Sequence, residues 1–126
     1  MISFSQTALA TLVLATTISA GSAMSGAALS VPVTLGEAGT VFTVQHSCSD
    51  GTGLSVQYIN GEANTLALIP LKGEELIFVN VISGSGARYV SGAHTWWTKG
   101  DEATLRDETG QAEPITCTAK GAPTYK

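Results

Sequence analysis

The stretch "LSVQYINGEANTLALIPL", Leu54 to Leu71, decides the fold class. Its first run, LSVQYIN, alternates apolar and polar side chains, the two-residue period of a strand with one face buried. It runs into Asn60-Gly61, the strongest short-range hairpin signal. Its second run, NTLALIPL, alternates Leu66 and Leu68 against smaller neighbours and stops near Lys72-Gly73. The same grammar continues in both directions. "TVFTVQHSC" (40–48) is rich in β-branched and aromatic residues, and "ELIFVNVI" (75–82) alternates until a Gly/Ser run. "ARYV", "HTWWT", "EATLRD" and "PITCTA" are shorter strand candidates, separated by Ser-Gly, Lys-Gly-Asp and Thr-Gly. That makes seven or eight short strands and no convincing 3.6-residue apolar period over this part of the chain. The expected class is all-β, a small antiparallel barrel or sandwich of hairpins, and periodicity does not choose between the two.

A chain of 126 residues is the size of one domain. The first 36 residues carry no Asp, Glu, Lys or Arg, and Ala8 to Ser19 is an apolar run of signal-peptide length. Small residues follow it in "AGSAMSGAA". These features predict a signal peptide over residues 1–23, with cleavage somewhere within 20–28, although Met1 to Thr7 lacks the usual Lys or Arg. Residues 24–39 read as a linker and residues 40–126 as the folded domain. An exported domain is expected in the periplasm, or secreted. Absence of Cys from the first 36 residues argues against a lipid anchor.

The two cysteines, Cys48 and Cys117, suggest a disulfide if the chain is exported, and two buried thiols if it is not. A bridge would tie the start of the domain to its end. The net charge of −4 argues against a nucleic-acid partner. No His/Cys pair has ligand spacing, so no metal is expected, and nothing calls for a cofactor. His46, inside a strand, reads as a satisfied polar residue.

One segment stands apart. Of the ten carboxylates, none lies from Leu76 to Gly100, while Arg88 and Lys99 do. Chance gives short neutral runs too, so the observation splits evenly between a solvated face and a surface for an anionic partner. Within it, "SGSGARYVSGAHTWWTKG" (83–100) mixes glycine with residues costly to leave on a mobile loop. Adjacent strand residues face opposite ways, so one of Trp96 and Trp97 is expected in the core and the other at a rim. A Ser85–Lys99 nucleophile pair or a Ser–His–Asp set built on His46 or His94 is conceivable, but no spacing specifies either.

These residues carry a resemblance. Ser85-Gly86-Ala87-Arg88-Tyr89 matches a Ser-Gly-x-x-Tyr motif. Trp97-Thr98-Lys99-Gly100, followed by Glu102-Ala103, matches an aromatic-x-Lys-Gly motif. "CSDG" from Cys48 looks like the opening strand that precedes them. Over roughly residues 42–118 the chain resembles the C-type lysozyme inhibitor family, and without a lipidated Cys it looks like the soluble, periplasmic form. The resemblance implies an antiparallel β-barrel with a Cys48–Cys117 bridge and no enzymatic activity of its own. Its partner would be a c-type lysozyme, and the inhibitor a monomer or homodimer. The Ser85 loop, shaped by Gly86, and Lys99 would enter the lysozyme cleft and meet its catalytic carboxylates. Tyr89 would brace the loop. Arg88 stays open between a rim contact and an internal partner for Glu102. The rival readings are a small envelope barrel that binds a hydrophobic ligand, and an inhibitor of another lysozyme class.

Overall fold

The computed structural model describes residues 26–126, so the expected signal peptide, residues 1–23, lies outside the described residues. Eight strands follow in order: β1 (Thr40–Cys48), β2 (Gly53–Asn60), β3 (Thr65–Leu71), β4 (Glu74–Val81), β5 (Ala87–Ser91), β6 (His94–Lys99), β7 (Glu102–Asp107) and β8 (Ile115–Tyr125). Each pairs antiparallel with the next, and β8 pairs with β1, which closes a barrel and removes the sheet edges. The sandwich alternative is thereby excluded. Cys48 and Cys117 sit directly opposite each other on β1 and β8 and are joined in a disulfide across that closing seam.

The turns follow the backbone freedom of their residues. Leu71 pairs with Glu74 across Lys72-Gly73, which both take positive φ (52° and 84°), the geometry of a type I′ hairpin. The Asn60-Gly61 signal works differently. Asn60 is still paired, with Thr65, and the turn is the four-residue loop 61–64, closed by the Gly61 amide donating to the Asn64 carbonyl at 2.8 Å. The hairpin is where the sequence put it, but its turn is longer than the dipeptide. Before β1, the Leu35 carbonyl accepts from the Glu62 amide at 3.1 Å, so the residues just ahead of the barrel lie against this same turn.

The interior is filled. Val56, Ile69, Phe78, Trp96 and Cys117 are fully buried. On β3 the inward set is Ala67 and Ile69; Leu66 and Leu68 lie on the outer face, half-covered. The small Ala67 leaves room for larger rings from other strands, so residue size was a poor guide to the inward face here. Trp96 is the centre of the polar wiring inside. Its indole N–H donates to the Tyr58 hydroxyl at 2.9 Å, and His46 packs edge-on to its ring at 5.2 Å. Burial pushes the Tyr58 hydroxyl up to about 12. His46 departs from expectation: it is buried, but its Nδ1 has no hydrogen-bond partner. Burial lowers its pKa, with the Val44 backbone acting weakly the other way.

Candidate functional site

Strand alternation sorts the motif residues before any partner is considered. On β5, Tyr89 faces inward and is 5% exposed, with its ring 5.7 Å from that of Tyr58. Tyr89 is thus a core residue, and burial raises its hydroxyl pKa. It lies on β5, the strand that leads out of the Ser85 loop. Arg88, next to it, points the other way. On β6, Trp96 is inside and Trp97 outside at 37% exposure, as the adjacency of the two rings requires.

The β4–β5 loop (82–86) and the β6–β7 turn (100–101) emerge at the same end of the barrel, because β5 and β6 form an intervening hairpin. Ser85 is exposed at the first and Lys99 at the start of the second. Two interactions hold the loop. The Ser83 hydroxyl donates to the Gly86 carbonyl at 3.0 Å, and the Trp97 indole N–H donates to the Ser85 carbonyl at 2.9 Å. The Lys99 ammonium lies over the Trp97 ring, 4.7 Å from its centroid. Gly86, at φ +65°, passes directly under Thr98 and Lys99. The structure thus brings Ser85, Gly86 and Lys99 together around Trp97.

Arg88 and Glu102 line one outer groove of about 430 Å³ along with Trp97, Lys99, Arg106 and Glu108. Arg88 is directly opposite Trp97 in the β5–β6 ladder. Its backbone carbonyl accepts from the Asn80 side-chain amide at 3.1 Å. Arg106 and Glu108 were not singled out from the sequence; their signal was the alternation in "EATLRDE", which sets Glu102, Thr104 and Arg106 on the outward face. One of Trp96 and Trp97 was expected at a rim, and it is Trp97; its bond to the Ser85 carbonyl was not legible, because it depends on the cross-strand register of β5 and β6.

The two histidines stand apart from Ser85. His46 is in the core, and His94 lies at the opposite mouth, where a cleft of about 370 Å³ has an apolar floor including Leu54, Leu71, Leu105 and Ile115. Asp107, also in that cleft, is held below its usual range mainly by hydrogen bonds from Thr109. Among the described residues, no cluster of three or more His, Cys, Asp or Glu is arranged to hold a metal ion.

Comparison with known proteins identifies the family. The family model described as "Membrane-bound lysozyme-inhibitor of c-type lysozyme" matches residues 46–114, more than half of the chain. A Pseudomonas aeruginosa protein named membrane-bound lysozyme inhibitor of C-type lysozyme is 45% identical over 73 residues, covering 57% of this chain and 58% of that one. A Cupriavidus necator protein of the same name is 45% identical over 67 residues, covering 53% and 54%. The chain therefore spans under two thirds of the length of the curated relatives it matches. The solved structure of Pseudomonas aeruginosa MliC, in complex with hen egg white lysozyme, is similar with a TM-score of 0.62 and 35% identity, over 76% of this chain and 97% of that one. Those relatives are named membrane-bound, so the comparisons lend no support to the expected soluble form. The matched residues include both motifs and the half of the barrel that presents them: the chain belongs to the family of membrane-bound lysozyme inhibitors of c-type lysozyme.

Proposed function

We propose that this protein inhibits a c-type lysozyme by seating the Ser85 loop and Lys99 against the carboxyl groups of the enzyme's cleft. The observation that carries the reading is the joint presentation of the two residues: one exposed hydroxyl and one exposed ammonium at one end of a rigid barrel, linked through Trp97. Glycan cleavage by these enzymes needs two carboxyl groups flanking the bond. A hydroxyl donates to one and an ammonium pairs with the other, so substrate is excluded without any chemistry by the inhibitor. The relative solved with hen egg white lysozyme supports the choice of partner. Gly86 serves by keeping the loop low beneath Lys99. Tyr89 serves from the core, and Arg88, which lines the outer groove, meets the rim of the enzyme in this reading.

The remaining parts of the reading have separate support. Exposure of Lys99 leaves its amine solvated, which opposes a Ser85–Lys99 hydrolase, since a lysine base needs desolvation. A location in the cell envelope fits a peptidoglycan-protecting inhibitor and agrees with the names of the relatives. Among the described residues, the far-mouth cleft is the apolar recess a hydrophobic ligand would use, since the core side chains of the barrel are packed inside. Titration into a lysozyme turbidity assay tests the reading. Stoichiometric inhibition of a c-type enzyme is expected; inhibition of a g-type or i-type enzyme alone would move the target to another class.

A further inference from the structure

We propose that Trp97 is the positioning residue that makes Ser85 and Lys99 a single binding unit; this rests on the inhibitor reading above. The indole serves two elements at once. Its N–H holds the Ser85 carbonyl at 2.9 Å, and its ring face carries the Lys99 ammonium at 4.7 Å. Each needs such a hold. Ser85 lies between Gly84 and Gly86, where backbone freedom is greatest. Lys99 has a long stem with many rotamers, and its freedom would be lost on docking. The bond within the loop, Ser83 to the Gly86 carbonyl, shapes the loop but does not tie it to β6. Trp97 does so, and it is itself half-covered and paired on β6 between Arg88 of β5 and Thr104 of β7, within continuous ladders. The rigid barrel is thereby extended into both contact residues.

The consequence is non-additivity. Two independent contacts would each cost the same whether or not the other is held. Contacts positioned by one ring lose their separate value when that ring goes.

The test is a set of inhibition constants against a c-type lysozyme, joined to NMR of the free full-length protein. Trp97→Phe keeps an aromatic face but removes the N–H; Trp97→Leu removes both. Trp97→Phe should weaken inhibition roughly five- to tenfold, the value of one hydrogen bond with some loop ordering. In that background, Ser85→Ala should cost less than half its wild-type factor, while Lys99→Ala keeps most of its own. In Trp97→Leu both factors should shrink. In the free protein, the Lys99 side-chain methylenes should show upfield ring-current shifts. Trp97→Leu should abolish them and speed amide exchange across 83–86, with the Trp96 indole still protected. Unchanged single-mutant factors in both Trp97 backgrounds would overturn the proposal. So would random-coil Lys99 shifts in the wild-type free protein. A wild type with those shifts and no inhibition of lysozyme would sink the inhibitor reading instead, while supporting the coupling of the three residues.

Discussion

A Cβ added at Gly86 would collide with the carbonyl oxygen of Thr98 and lie 2.8 Å from Cγ of Lys99. The β4–β5 loop therefore rests on the strand that carries Lys99, and glycine at this position is what allows it. With φ at +65°, a side chain would also sit in a backbone region disfavoured for L-residues. Gly86→Ala should lower stability by about 1–3 kcal/mol and displace Lys99, weakening inhibition further than the loss of stability explains. Gly84, two residues away, has open space around its Cβ position and no positive φ. Gly84→Ala should stabilise the fold by roughly 0.4–1 kcal/mol by restricting the unfolded chain. Urea unfolding of the two variants checks both; equal effects would mean that the contact with Thr98 is unimportant.

Lys99 should be the more sensitive contact. Truncating one partner of a buried charge pair costs roughly 2–5 kcal/mol, in part because it strands the other charge. Losing a hydroxyl that donates to a carboxylate costs about 1.5–3 kcal/mol. Lys99→Ala and Ser85→Ala should weaken inhibition in that order with little change in melting temperature, since both residues are exposed in the free protein. Melting temperatures that fall together with inhibition would make the two residues structural.

His46 gives a dependence on pH. Its folded pKa is lowered from 6.5, chiefly by burial. Below 6.5 the unfolded chain takes up a proton that the folded chain does not, so stability should fall as pH drops from 6.5 and level off below the folded value. Asp50 and Asp107 are also lowered, from 3.8, through hydrogen bonds from Thr52 and Thr109; their contributions are lost at lower pH still. His46→Phe should flatten the slope just below pH 6.5 and leave the acid limb. Unfolding free energies over pH 4–7 measure this; an unchanged slope in the variant would place the titration elsewhere.

The disulfide joins strands 69 positions apart in sequence. The chain-entropy account assigns about 4 kcal/mol to closing a loop of that size. The double substitution Cys48→Ala with Cys117→Ala should lower unfolding free energy by an amount of that order, read from urea midpoints at constant m-value. A loss under about 1 kcal/mol would mean that the barrel ladders alone hold the seam.

The association rate should depend on salt. The chain carries a net charge of −4, and c-type lysozymes are typically basic, so long-range attraction should speed encounter at low ionic strength. Stopped-flow binding at two salt concentrations checks this: a rate that does not fall with salt would remove steering from the account.

Strand content was legible because alternation is a local property, and seven of the eight strands lie within a residue or so of the runs that signalled them. The exception is the end of β8. "KGAPTY" contains Gly121 and Pro123 and looks like a tail, yet β8 runs to Tyr125, which pairs with Phe42. The ladder shifts register between Thr43 and Gln45, and Gly121 takes φ +70° opposite that shift, so the strand crosses an irregularity that alternation does not encode. Barrel closure was not legible from period at all, since it depends on which strand meets which. At the site, Ser85 and Lys99 came from paired motifs and the split of Trp96 and Trp97 from simple parity. The bond from Trp97 to Ser85 and the close passage of Gly86 beneath Thr98 are cross-strand facts, and they needed the register.

The most direct measurement is the inhibition of a purified c-type lysozyme by the folded protein, titrated through equivalence in a turbidity assay. Lysozyme activity should fall until it saturates near one inhibitor chain per enzyme, and Lys99→Ala should weaken the effect. Full lysozyme activity in a micromolar excess of folded protein would contradict it.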